Sequence, residues 1–129
     1  MNLKISFDNN LKDFNKLKYI IVGNNPGNDE YKEGKYFIGS SGTTLRKHFL
    51  ENNLVSNFDE ECIIFNKTFL STKGTDGLIQ VKKDIGEKNF NNILIHTAHE
   101  IANFSNNLDI PIFILGKSKL DKGKIFHPF

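Results

Sequence analysis

Apolar residues gather along this chain in short dense runs, separated by polar segments that carry glycine. KYIIVG (18–23) is apolar throughout its interior, without alternation, and stops at the cluster NNPG. An uninterrupted β-rich run ended by Asn, Pro and Gly predicts a buried strand. ECIIFN (61–66) has the same character, and DIPIFILG (109–116) and KIFHP (124–128) supply a third and a fourth strand. Between the first two, TLRKHFLENNL, capped by Thr43 or Thr44, puts Leu45, Phe49 and Leu50 on one helical face. FNNILIHTAHEIANFSNNL (90–108) is apolar at 90, 93, 94, 97/98, 101 and 104, a helical period. Residues 7–17 predict a short helix, and residues 67–86, interrupted by Gly74, Gly77 and Gly86, are mixed.

Strands alternating with helices predict a parallel α/β sheet with crossover helices. Ligands of such sheets bind beyond the carboxyl ends of the strands. Three of those ends carry polar side chains here: Asn24 and Asn25, then Asn66, then His127. The chain has no repeat, low-complexity tract or linker, and its 129 residues make one domain, 1–129.

Composition narrows the function only a little. A net charge of +2 and a pI near 8.6 permit contact with nucleic acid without arguing for it. One cysteine, Cys62, excludes an intrachain disulfide and any cysteine-built metal or iron–sulfur cage; inside an apolar run it reads as a small buried hydrophobe. MNLKISFDNN lacks the apolar core of a signal peptide and no run reaches membrane-spanning length, so a cytoplasmic location, without membrane contact, is expected.

The phosphate-loop motifs fail on their spacing. GNDEYKEGK (27–35) has six residues between its glycines instead of four, with Tyr36 where a magnesium-holding hydroxyl belongs. No G-x-G-x-x-G follows the first strand. HTAHE (96–100) is not H-E-x-x-H and lacks a third ligand of suitable spacing, so no metal is expected.

VGNNPGNDEYKEGKYFIGSSGTTLRKHF resembles the first block of the uracil-DNA glycosylase superfamily. G-x-N-P-G is the form of its mismatch-specific and single-strand-selective branches. Gly34, Phe37, Gly39 and Gly42 resemble a block of its iron–sulfur branches, though without the cluster cysteines. The strand-end Asn66 in IIFNKT and the late His127–Pro128 pair are further matches. The resemblance implies a three-layer α/β/α sandwich around a central four-stranded parallel sheet, and hydrolysis of the N-glycosidic bond of uracil, or a related damaged base, in single- or double-stranded DNA. No cofactor is implied, and a monomer in the bacterial cytoplasm or nucleoid is expected.

Roles follow from the same resemblance. Asn25 orients the attacking water, and Asn66 reads the extruded base, since a carboxamide can accept from N3–H while donating to O4. Phe37 stacks on the base. His127 donates to O2 of the departing anion, joined by backbone N–H groups around Asn24. Gly39, Ser40, Ser41 and Gly42 approach a DNA phosphate, and lysines add salt-sensitive attraction.

The chain departs from that pattern in placing Phe129 where serine commonly follows His-Pro. Either the usual wedge loop lies elsewhere, or Phe129 itself takes part, or the end of the natural protein is missing and the usual final helix with it. Two rivals remain in other classes: a catalytically silent binder of a base or nucleic acid, and a hydrolase of free nucleotides or other small molecules on the same scaffold.

Overall fold

Tyr19–Gly23 forms strand β1 and Cys62–Asn66 forms β2, paired in parallel from Tyr19↔Cys62 to Gly23↔Asn66. The computed structural model describes residues 14–27 and 40–129. Ile20, Ile21 and Val22 expose no surface, and every residue of β2 is buried. Strands covered on both faces read as continuous apolar runs, which is why neither sequence alternates.

The side chains still alternate in space. Ile21, Cys62 and Ile64 point to one side, where they meet Phe49, Val55 and Phe58. Ile20, Val22, Ile63 and Phe65 point to the other, toward Leu17 and Ile101. The connecting helices are α1 (Ser40–Glu51), α2 (Phe58–Glu61), α3 (Leu78–Ile85) and α4 (Glu87–Ser105). Thus α1 and α2 cover the first face and α4 the second, the expected three layers. Phe49 anchors the first by edge-to-face contacts with Tyr19 and Phe58, at ring separations of 5.3 and 5.6 Å.

Strand β3 (Ile112–Ile114) pairs in parallel with β1, giving the order β2-β1-β3. It is much shorter than the predicted 109–116. Pro111 has no N–H to offer a ladder, although its carbonyl accepts from Ile20 N at 3.0 Å. Gly116, at φ 69°, then turns the chain away.

The described residues contain three strands where four were expected. Residues 124–128, read as the fourth, form turns instead. Phe126 explains this: its side chain is fully buried against Leu78, Phe90 and Leu94 in a third cluster. Its N–H reaches Lys119 O at 2.9 Å, and Gly123 at φ 82° supplies the preceding turn.

Other boundaries shift less. Helix α1 starts at Ser40, ahead of the predicted cap at Thr43 or Thr44. The mixed segment 67–86 contains α3 and a short 3₁₀ turn, Thr75–Gly77. Of the helix expected over 7–17, the described part is a 3₁₀ turn, Phe14–Lys16. Among the described residues no helix is long and apolar enough to cross a membrane.

Candidate active site

The register Gly23↔Asn66 sets the carboxyl ends of β1 and β2 side by side, so the chain leaves the sheet with Asn24 next to Lys67. Lys67 N donates to both Gly23 O and Asn24 O, at 3.1 and 3.0 Å. Its side chain does not reach solvent; it is wholly buried. The ammonium lies 2.7 Å from Asn24 Oδ1, 2.7 Å from Leu115 O and 3.3 Å from Gly23 O, and 5.0 Å from the centre of the Phe126 ring.

An ammonium has three protons, and here three oxygens, from the ends of β1 and β3, surround it. Burial nevertheless disfavours the charged form and lowers the Lys67 pKa from 10.5 to about 8. Gly116 is required beside this group. A Cβ there would stand 2.6 Å from Asn24 Oδ1.

Asn25 is held from the opposite direction. Its Nδ2 donates to Leu70 O at 3.0 Å and to Thr72 Oγ1 at 2.9 Å. With both amide hydrogens engaged, the oxygen is the group left to offer a ligand. The segment carrying these acceptors is itself tied down: Thr72 N donates to Pro26 O, Thr72 Oγ1 donates to Gly74 O, and Gly77 packs so closely that an added Cβ would lie 2.9 Å from Thr72 Cβ.

Asn66 is only 2% exposed, and its buried Nδ2 has no hydrogen-bond partner among the described residues. Buried amide donors are seldom left unpaired, because each forfeits its hydration. The three carboxamides therefore gather at one end of the sheet, two with their polarity set by neighbours and one with an idle donor.

His127 sits elsewhere in the architecture than expected, in a turn and exposed. Its Nδ1 lies 3.1 Å from Leu120 O, and among the described residues no hydrogen bond joins its ring to any of the three asparagines. A carbonyl can only accept, so in the neutral ring this contact puts the proton on Nδ1 and makes Nε2 an acceptor. The adjoining Phe126, under the Lys67 ammonium, is what fixes this segment to the strand ends.

Ser40, Ser41 and Gly42 form the first turn of α1, with Gly42 buried. Phe37 and Gly39 lie outside the described residues. A basic cleft of about 410 Å³ opens between Thr75–Lys82 and Lys119–Ile125, lined by Lys82, Lys119, Lys124 and Asp76 among others; it contains none of the asparagines. His96 faces Glu100 across 3.8 Å on the exposed side of α4, and among the described residues no three His, Cys, Asp or Glu side chains gather in a way that could hold a metal.

Sequence reasoning missed Lys67 and Thr72. The signal for Lys67 was present in IIFNKTFL, where a short polar step, Asn66 to Thr68, is enclosed by the apolar residues Phe65 and Phe69.

A family model described as the uracil DNA glycosylase superfamily matches residues 11–123. The matched span includes Asn24, Asn25, Asn66, Lys67 and Thr72 and ends before His127. Among curated proteins and among solved structures, nothing matches the chain.

Proposed function

The chain belongs to the uracil DNA glycosylase superfamily, and on that premise we propose that it hydrolyses the N-glycosidic bond of uracil, or a related damaged base, in DNA. The observation that carries this reading is the state of the carboxamides. Asn66 holds an idle buried donor, and Asn25 has both amide hydrogens occupied and its oxygen left over. A uracil edge needs a donor for O4, and a water about to attack the sugar needs an acceptor.

In this reading the base is extruded from the DNA and reaches Asn66 when the segments above the strand ends part. An amide oxygen orients water but is not a useful base near neutral pH, so the rate comes mainly from stabilising the departing uracil anion. Donors fixed where charge develops are worth about 2.7–4 kcal/mol each. His127 fills that role from Nε2 as an imidazolium, or as a neutral ring after releasing Leu120 O. The first turn of α1, Ser40, Ser41 and Gly42, suits a DNA phosphate as a helix N-terminus, and the lysine-lined cleft suits the backbone beyond.

The exposure of His127 and its bond to Leu120 O favour one alternative, a binder that recognises the base without excising it. Incubation with uracil-containing single- and double-stranded oligonucleotides, followed by alkaline cleavage of abasic sites, separates the two. Excision that is lost in Asn25→Ala and His127→Ala, with binding retained, supports the glycosylase. Tight binding with no strand breaks from the wild type selects the binder.

A further inference from the structure

We propose that Lys67 and Thr72 are positioning residues that present the adjacent carboxamides of Asn24 and Asn25 with opposite polarity, a donor outward from the first and an acceptor outward from the second. This rests on the glycosylase reading for its catalytic consequence, and on the contacts alone for its structural one.

A carboxamide is nearly symmetrical in shape, so its orientation is decided by what its neighbours can donate or accept. Lys67 has only donors as an ammonium, and its 2.7 Å partner on Asn24 is therefore the oxygen. That leaves Asn24 Nδ2 as the end it can offer a ligand. Leu70 O can only accept, so its 3.0 Å partner on Asn25 is the nitrogen. Thr72 reinforces the choice. Its one hydroxyl proton goes to Gly74 O, which leaves lone pairs to receive the second Asn25 amide hydrogen.

One segment, 67–72, thus sets both side chains that end β1. The arrangement supplies what the reaction needs side by side: an acceptor for the attacking water and a donor on the side where negative charge appears.

The two orienters differ in how they fail. Among the described residues, the groups that face Lys67 are the Gly23 and Leu115 carbonyls, the Asn24 carboxamide and the Phe126 ring, none of which titrates. Its pKa near 8 follows from burial. When Lys67 loses its proton it keeps two donors for three oxygens and gains a lone pair, so Asn24 is no longer confined to one orientation. Thr72 has no such titration.

The test compares wild type, Thr72→Val, Thr72→Ser and Lys67→Met, in the full chain, by two readouts. The first is single-turnover excision from a uracil-containing oligonucleotide between pH 6 and 10, with binding measured separately. Thr72→Val, nearly the same shape without the acceptor, is expected to lose about a hundredfold in excision rate with little change in binding, because a misdirected water is a misplaced reactant. Thr72→Ser is expected to recover most of that rate. Wild type should show an alkaline fall near the Lys67 pKa, and Lys67→Met should be slow at every pH without that fall.

The second readout is the exchange of the Asn24 and Asn25 side-chain amide protons, which needs no activity and still decides the matter where Lys67→Met does not fold. Those of Asn25 should be protected and those of Asn24 fast in the wild type, with the Asn25 protection lost in Thr72→Val. Excision by Thr72→Val at the wild-type rate, or Asn25 amide protons as fast as those of Asn24, overturns the proposal. A wild type without excision but with the protection pattern intact overturns the glycosylase reading and leaves the orientation standing.

Discussion

The two halves of the candidate site are built differently. On one side, β1 and β2 have no exposed apolar residue, and the loops that leave them are pinned by the Lys67 ammonium and by Thr72. On the other, β3 exposes all three of its side chains, between 40 and 47%, and the chain beyond it is held by turns, the Phe126 anchor and contacts at the surface. The asparagines stand on the first side and His127 on the second. Under the proposed reaction the groups that would read a base or aim a water need a fixed position, and they stand beside the fully buried strands. The donor to the leaving anion, His127, sits on the looser arm and would have to be fixed in place by the bound substrate before it can stabilise developing charge.

The largest expected difference between the halves is in stability. Ile21→Ala removes a fully buried branched side chain from the central strand and should destabilise the fold by about 2–5 kcal/mol. Ile114→Thr, at 47% exposure on the edge, should change stability by about 0.5 kcal/mol or less. Urea unfolding with unchanged slope checks both. Similar losses at the two positions would mean that the exposed edge is covered in solution, and the contrast would fail.

Next in size is the effect of pH on the buried lysine. Between about 8 and 10.5 the unfolded chain holds a proton on Lys67 that the folded chain has released, so stability rises with pH across that window. At 1.36 kcal/mol for each unit, the gain is about 3 kcal/mol. Below pH 8 both states are protonated and the burial penalty is present in full. Lys67→Met should abolish the rise, so the stability of the wild type minus that of the variant should increase from pH 8 to 10.5. A constant difference would show that Lys67 titrates as an ordinary surface lysine and that the strand ends are wetter than the packing indicates.

How legible each half is in the sequence follows the same division. The apolar runs of β1 and β2 name strands buried on both faces, because burial on both sides erases alternation. DIPIFILG locates β3 but overstates it, since Pro111 and Gly116 bound the pairing in ways that hydrophobicity does not record. KIFHP reads as a strand and is none, because Phe126 serves a cluster beneath the arm and not a sheet. Asn24, Asn25 and Asn66 do stand at strand ends, as polar residues that follow apolar runs. Lys67 escapes such a reading because a lysine ordinarily marks solvent, and only three oxygens from distant parts of the chain make its burial tolerable. The tautomer implied for His127 rests on Leu120 O, a contact that no local pattern announces.

Two glycines in the arm sharpen the comparison at a smaller scale. Gly116 and Gly123 both have positive φ, 69° and 82°, where a side chain is strained by about 1–2 kcal/mol. A methyl group added at Gly123 would meet nothing within 4 Å, whereas one at Gly116 would strike Asn24 Oδ1 at 2.6 Å. Gly123→Ala should therefore lose only the strain and keep excision near the wild-type rate. Gly116→Ala should lose more stability and slow excision as well, by displacing the Asn24 carboxamide from Lys67. Equal rates in the two variants would separate the arm from the strand-end cradle altogether.

The smallest effect belongs to the ion pair that fastens the arm to the turn before α3. Lys119 Nζ lies 2.9 Å from Asp76 Oδ1, with the carboxylate side chain 84% exposed. The lysine holds the Asp76 pKa below its ordinary 3.8, first by the hydrogen bond and then by charge. A lowered carboxylate pKa stabilises the fold above the ordinary value, and that contribution disappears as pH falls through the folded one. In water so open, salt screens the pair and its side chains give up rotamer freedom to form it. Asp76→Asn should thus unfold with the wild type at pH 7 in 0.15 M salt to within the error of a urea titration, and any small difference seen at low salt should vanish by acidification. A large loss at neutral pH would mean that this contact, and not the buried Phe126, holds the arm that carries His127. The loose half of the site would then depend on salt, and excision by the wild type should fall with ionic strength more steeply than phosphate contacts alone require.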